Sequence, residues 1–225
     1  MRSATVCLAA LLGLLPGLLS CAPRADGAPS GLKVLADGVE IPAVVHADSF
    51  ARNLLGLGMP GYHLLVTEGG RSAGAALFTT GVSDLEVLDA FEHLGAQPGN
   101  GLGLDTWNQR NDPAAKAPDK VIVGPAVVAE LLLPGRAEPL GLGDFLLDPG
   151  GRGFALRLGG HRANVSSWRS GCIICLYSCP GSKIGNARYT VRDYVEKATR
   201  FGVKPGVLPA DGTHVRMRLR LAPAG

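Results

Sequence analysis

The sequence is poor in aromatic and charged residues, which make up 5% and 18% of its 225 residues. So few aromatic side chains, together with the absence of a recognisable nucleic-acid-binding motif, argue against a partner made of nucleic acid. The chain also lacks the G-x-S-x-G, H-E-x-x-H and P-loop motifs, which mark many hydrolases, zinc proteases and nucleotide-binding proteins. These absences favour an electron carrier or a binding domain over a stand-alone enzyme.

Long apolar runs are missing too, except for one near the N-terminus. The run from Val6 to Leu19 is broken by Pro16 and is shorter than the roughly 20 residues that a membrane-spanning helix needs. It is typical of an export signal, which we place at residues 1–20. The sequence Leu-Leu-Ser-Cys that ends at Cys21 resembles a bacterial lipobox, so we expect Cys21 to be lipidated and to anchor the protein outside the cytoplasm. The alternative is ordinary cleavage between residues 22 and 28.

The rest of the chain predicts one domain. Residues 21–31 are too polar and too rich in Pro and Gly to pack, and they form a tether. Residues 32–225 follow as a single globular unit, in keeping with a hydrophobic fraction of 46%. Charge is distributed unevenly: residues 21–150 carry 8 Lys+Arg against 16 Asp+Glu, and residues 151–225 carry 13 against 3. Either the two parts neutralise each other within one domain, or the basic part binds an anionic centre or partner.

Local patterns predict an α+β fold, sheet-rich with two main helices. Strands are expected at 62–67 and 75–80, joined as a hairpin, and at 126–133, 154–158 and 215–221. The last of these alternates apolar residues with arginines, which should face solvent. One helix should begin after Ser83, with Glu86 completing a capping box, and end at Gly95; the second should run from Thr190 to about Gly202.

The strongest chemical feature is a run of three cysteines in a predicted loop, residues 171–181. Cys172, Cys175 and Cys179 have the spacing C-x2-C-x3-C-P, and the chain's two other cysteines lie at the N-terminus. Three thiols cannot all pair with one another. A metal ligand set, a redox pair with a spare thiol, or a link to another chain are therefore the open interpretations.

The spacing equals that of the last three cysteines of the bacterial ferredoxin run, which favours an iron–sulfur cluster that transfers electrons to a redox partner. Export weighs against an assembled cluster, because an exported chain without a twin-arginine signal crosses the membrane unfolded. A structural disulfide or a thiol–disulfide redox pair is the second interpretation, with Arg169, Lys183 and Arg188 lowering thiol pKa values. Zinc is the third, with three cysteines and one histidine. A single cubane cluster would need a fourth ligand from elsewhere, for which His161 is a candidate because it is near in sequence.

Other candidate residues have weaker support. The remaining histidines, including His63, are scattered along the chain and have no ligand-like spacing. Asp105, Trp107 and Arg110 lie in a long polar segment and are candidates to line a pocket. Leu176 stands where haem attachment would need histidine, which excludes a c-type haem.

Three stretches resemble one known family. The residues Tyr62-His63-Leu-Leu-Val66, the phrase Leu94-Gly-Ala-Gln-Pro-Gly-Asn100 and the cysteine run continuing to Thr190 are similar to the YdjY-like family of exported bacterial proteins. The resemblance covers roughly residues 33–221. Members with such a cysteine run are described as ferredoxin-like, so the resemblance implies Cys172, Cys175 and Cys179 as ligands of an iron–sulfur cluster.

Overall fold

The computed structural model describes residues 31–56 and 61–223. The predicted export signal at 1–20, Cys21 and the tether through residue 30 lie outside this range. Among the helices within the range, none is both long and apolar enough to cross a membrane.

Strands dominate the described residues. The strands are β1 Lys33–Val34, β2 Gly38–Val45, β3 His63–Thr67, β4 Ala76–Thr80, β5 Ala126–Leu132, β6 Leu140–Gly141, β7 Leu146–Leu147, β8 Leu156–Leu158, β9 Cys172–Cys175, β10 Ile184–Asn186, β11 Gly202–Val203 and β12 His214–Leu221. The helices are α1 Ala47–Gly56, α2 Asp84–His93, α3 Leu104–Asn108, α4 Leu142–Phe145, α5 Arg162–Trp168 and α6 Val191–Val195, with short 3-10 helices at Ala73–Ala75 and Ala117–Asp119.

Eight strands close into a barrel. Around the ring, β2 pairs with β12, followed by β5, β8, β10, β9, β3 and β4, and β4 pairs again with β2. Neighbours are antiparallel except for β9 with β10 and β3 with β4. Closure leaves no free edge in the ring, so the strands satisfy one another's backbone hydrogen bonds.

The predicted α+β architecture is therefore wrong, because the strand ring carries the core and the helices are few and short. The first predicted helix is present as α2, with the capping box between Ser83 and Glu86. The second also begins with a capping box, formed by Thr190 and Asp193. It stops after one turn and a half, since Lys197 takes up left-handed backbone geometry with φ 57°.

The predicted hairpin between the strands near residues 62–67 and 75–80 is also wrong. Both strands exist, but β3 and β4 run parallel, with His63 opposite Ala76 and Thr67 opposite Thr80. The chain returns through residues 68–75, including a 3-10 turn. Each strand then has its other edge free for an antiparallel neighbour, β9 for β3 and β2 for β4.

Strand β12 lies between β2 and β5, and these three are the longest strands of the barrel. Its residue Met217 is opposite Ile41 of β2 on one side and Leu131 of β5 on the other, and all three side chains are fully buried. Burying an aliphatic side chain of this size stabilises the fold by roughly 1.5–3 kcal/mol. The predicted alternation of apolar residues and arginines therefore identifies which side chains of β12 face the barrel interior.

The outer face of β12 differs from expectation, because its arginines form ion pairs rather than simply facing solvent. Arg216 and Arg218 donate to the two carboxylate oxygens of Glu40, at 3.0 Å and 2.8 Å. Arg220 donates to Glu130 at 3.0 Å. Glu40 is buried, so these bonds supply the partners that its carboxylate needs.

Replacing Glu40 by Gln should make the barrel less stable in a pH-dependent way. Burial alone would raise the pKa of Glu40, but hydrogen bonds from Arg218 and Arg216 outweigh it and hold the pKa below its ordinary value. Such a carboxylate stabilises the fold above its unfolded pKa, and this contribution is lost as the pH falls through the folded pKa. We expect Glu40→Gln to lower the free energy of unfolding by roughly 1–3 kcal/mol at neutral pH, and by less in acid.

Urea unfolding at pH 7 and at about pH 3 measures this difference, on either side of the ordinary carboxyl pKa. The matched control is Glu138→Gln, since Glu138 is exposed and its carboxylate has no ion pair within the described residues. A loss for Glu40→Gln that is equal at the two pH values, or no greater than that of the control, would contradict the prediction.

Candidate functional site

The three cysteines of the run lie in the core of the barrel rather than on an exposed loop. The segment predicted as a loop begins with strand β9, whose first and last residues are Cys172 and Cys175; Cys179 follows after a turn. All three are buried free thiols. The structure therefore gathers the sequence-predicted site residues at one place, within the apolar interior.

Pairing between β9 and β3 adds a histidine to this group. His63, at the start of β3, is opposite Cys175, and Val66 is opposite Cys172. Residues three apart on a regular strand point to opposite faces. The register between β3 and β9 shifts twice over this short stretch, and irregularities of this kind re-aim side chains.

The result is a compact set of donor atoms. Nδ1 of His63 lies 3.4 Å from Sγ of Cys172. One donor atom from each of His63, Cys172 and Cys175 lies within 4.8 Å of the other two, and all three residues are buried. Imidazole nitrogen and thiolate sulfur are ligands that zinc and other transition metals accept.

The environment separates the two thiols of β9 by their pKa values. A hydrogen bond from the Cys175 thiol lowers the pKa of Cys172 to about 5, against the opposing effect of burial, and His63 adds a favourable charge and hydrogen bond. Burial raises the pKa of Cys175 well above its ordinary value, and its hydrogen bonds with Cys172 and Cys179 raise it further. The surroundings therefore favour ionisation of Cys172 over ionisation of Cys175.

A buried lysine, Lys183, lies next to the cysteine strand. Nζ of Lys183 lies 2.7 Å from a carboxylate oxygen of Asp84 and donates to the Gly181 carbonyl at 3.0 Å. Its backbone amide donates to the Cys172 carbonyl at 3.3 Å, and its charge helps to lower the pKa of Cys172. Of the three basic residues expected near the thiols, Lys183 fills that role, while Arg169 and Arg188 are exposed.

A cleft of about 410 Å³ opens from the cysteines to the surface. Its floor contains His63, Cys172 and Cys179, and Trp107 and Trp168 form part of its walls. The cysteine centre is thus buried in the barrel yet accessible from solvent on one side.

One wall of the cleft is held by close packing. A Cβ atom on Gly181 would lie 2.5 Å from Cε3 of Trp168, so only glycine lets the indole lie this close to the turn after Cys179. Trp168 in turn meets Trp107 edge to face, with ring centroids 5.9 Å apart.

Sequence reasoning missed His63 and favoured His161, which instead precedes helix α5 as its N-cap. His63 lies 109 residues from Cys172, so no local spacing connects the two. The one sequence feature that could have pointed to His63 was the family resemblance, because Tyr62 and His63 lie in one of the stretches that carry it. Among the candidate pocket residues, Trp107 lines the cleft, and Arg110 lies over its ring at 4.5 Å.

Comparisons with known proteins agree with that resemblance. The model of the YdjY domain family matches residues 36–220. A protein of Escherichia coli K12 described as "Uncharacterized protein YdjY" is 25% identical over 162 residues, which are 71% of this chain and 67% of that protein. No solved structure matches the chain.

The pKa values predict an order of thiol reactivity in the metal-free protein. Because its pKa is about 5, Cys172 is already a thiolate above about pH 6, and its alkylation rate should hardly change between pH 6.5 and 8.5. Cys175 should react slowest, because it is fully buried and protonated. Iodoacetamide labelling resolved by peptide mass spectrometry gives the rate at each site.

The variant Cys175→Ala is the informative comparison, since it removes the hydrogen bond that lowers the pKa of Cys172 most. Its labelling rate at Cys172 should rise with pH over the same interval. A wild-type rate at Cys172 that climbs about tenfold per pH unit there would show an ordinary thiol and overturn the assignment.

Proposed function

The chain belongs to the YdjY domain family, and we propose that it is a metal-binding protein that holds a single ion between His63, Cys172 and Cys175. One observation carries the proposal: donor atoms from two paired strands lie within 4.8 Å of one another in a buried place. A site on strands is held by the sheet's hydrogen bonds, so its ligands are preorganised rather than gathered from a flexible loop.

The separation of the donors supports one ion over a cluster. With metal–sulfur bonds of about 2.3 Å, ligands around one tetrahedral ion lie about 3.8 Å apart. In a [4Fe–4S] cluster each thiolate binds a different iron, so the sulfurs must stand farther apart. A spread of 4.8 Å or less therefore needs only a small contraction to bind one ion.

Two thiolates and an imidazole favour zinc, with Cys179 as the fourth ligand. Cys179 is buried, hydrogen-bonds with the Cys175 thiol and lines the cleft beside His63 and Cys172. Three cysteines and one histidine form an accepted zinc ligand set. Both cysteines of β9 would bind a metal as thiolates, which the low pKa of Cys172 assists.

An iron–sulfur electron carrier is the second candidate function. What favours it is the cysteine spacing, which matches part of the bacterial ferredoxin run. Its requirements are greater than those of zinc, since a [4Fe–4S] cluster needs a wider spread of sulfurs and, if the predicted export signal acts, assembly after export. The two candidates predict different metal contents, so one experiment separates them.

Metal titration of the full chain without its export signal tests the proposal. We expect one Zn²⁺ or Co²⁺ to bind per chain, and bound Co²⁺ to show the visible absorption of a tetrahedral thiolate site. Cys172→Ser, Cys175→Ser and His63→Gln should each weaken binding by more than about 100-fold, because losing a ligand costs more than losing a residue that only orients one. Cys179→Ser tests the fourth position.

The matched control is His93→Gln, which removes an exposed histidine at the end of α2 and should leave the affinity unchanged. Binding that survives all three ligand substitutions would contradict the site. Anaerobic reconstitution that yields several irons with labile sulfide would replace the zinc proposal with the cluster.

A further inference from the structure

The cleft of about 410 Å³ gives solvent access to the proposed metal ligands. His63 and Cys172 line it, whereas Cys175, which is fully buried, is not among its lining residues. We propose that the fourth position of the ion exchanges with an external ligand, a small hydrophilic thiol that enters through this cleft. The exchange rests on the proposed function, because the bound ion is what holds the sulfur of the thiol.

The fourth position is the least preorganised of the four. Among the described residues, the donor atoms that lie within 4.8 Å of one another belong to His63, Cys172 and Cys175, and Cys179 is outside this group. The sulfur of Cys179 therefore has to move in order to bind the ion, while the other three donors are already gathered. Zinc sites that bind exchangeable ligands have this plan, with three protein ligands and a fourth position that water or substrate fills.

The backbone around Cys179 is tied down, so this movement falls to its side chain. The Cys179 carbonyl accepts hydrogen bonds from the amide and the hydroxyl of Ser182, at 3.2 Å and 2.8 Å. The next carbonyl, of Pro180, accepts one from Nδ2 of Asn164 at 2.9 Å. A side chain that binds and releases the ion on a fixed backbone leaves the rest of the site in place, as exchange requires.

The donor set selects a sulfur ligand for this position. Three cysteines and one histidine form an accepted zinc set, and an external thiolate in place of Cys179 restores the same set. Soft sulfur also matches the two thiolates that stay bound. The exchange balances without a redox step: the metal–sulfur bond to Cys179 breaks and one to the ligand forms. The proton of the incoming thiol passes to Cys179, which lines the cleft.

The walls of the cleft suit a small hydrophilic molecule. Arg71, Ser72 and Asn108 line it and carry hydrogen-bonding groups. Trp107 and Trp168 pack against each other edge to face, with ring centroids 5.9 Å apart, so they form a wall and leave no slot for an aromatic ring. The volume of about 410 Å³ lies near the lower end of the range for small-molecule pockets. An amino-acid-sized thiol fits this description.

The test titrates the zinc-loaded chain, without its export signal and under anaerobic conditions, with L-cysteine as the probe. L-serine is the matched probe, because it differs only by oxygen in place of sulfur. Calorimetry gives the affinity and the stoichiometry, and dialysis shows whether the metal stays with the protein. We expect one cysteine per metal-loaded chain, bound at least about tenfold more tightly than serine, and no binding of either probe to the metal-free protein.

Cys179→Ser separates exchange at the ion from binding elsewhere in the cleft. The variant removes the internal competitor, so it should bind cysteine more tightly than the wild type does. With Co²⁺ bound, added cysteine should also restore the thiolate absorption that the loss of Cys179 weakens, and added serine should not. An affinity and an absorption that Cys179→Ser leaves unchanged would overturn the proposal, as would equal wild-type affinities for cysteine and serine.

The entry route is tested on helix α5, where Ser166 and Ser167 are adjacent and both exposed, and of the two Ser167 lines the cleft. Ser167→Phe should narrow the cleft and weaken cysteine binding. Ser166→Phe is the matched control and should leave it unchanged, and both variants should take up metal as the wild type does. Equal effects of the two substitutions on cysteine binding would contradict entry through the cleft.

The two proposals fail separately in this design. Metal uptake by a protein that does not bind cysteine would leave the metal centre standing and remove the exchange. Removal of the metal by cysteine, or binding of cysteine to the metal-free protein, would also overturn the exchange alone. A protein that takes up no metal would remove both.

Discussion

The pairing of β3 with β9 is the constraint on which the candidate site depends. It sets His63 opposite Cys175 across one ladder of the barrel, and the ladder's two register shifts bring Cys172 to the same imidazole. Closure of the ring fixes this pairing from both sides, since β9 also pairs with β10 and β3 with β4. His63 and Cys172 are 109 residues apart along the chain, and this strand pairing is what brings them together in space.

Charge supports the same arrangement. Several acidic residues of the first part of the chain form ion pairs with basic residues of the last part. Glu40 pairs with arginines of β12, and Asp84 with Lys183 beneath the cysteines. Because the Asp84 pair is almost fully buried, removing either partner would leave an uncompensated charge next to the site. Arg71, at the cleft, has no such acidic neighbour among the described residues.

Elements whose formation depends on residues close together in the sequence were predictable. Elements whose formation depends on distant partners were not. Ser83 with Glu86 and Thr190 with Asp193 begin helices as expected, because a capping box involves only four consecutive residues. The alternation of β12 likewise gave its inner face. Strands β9 and β10 are four and three residues long, too short for a period of two to stand out, and their partners are chosen by the rest of the barrel.

By itself, the sequence determined the family, the cysteine triad and the helix starts, since these depend on residues close together in the chain. Only the tertiary structure decided that the fold is a barrel, that β3 and β4 run parallel, and that the histidine of the site is His63 and not His161. The physical reason is that strand pairing is non-local: each strand satisfies its hydrogen bonds with whichever segment closes the ring. A ligand set drawn from two paired strands therefore has no spacing that the sequence alone can reveal.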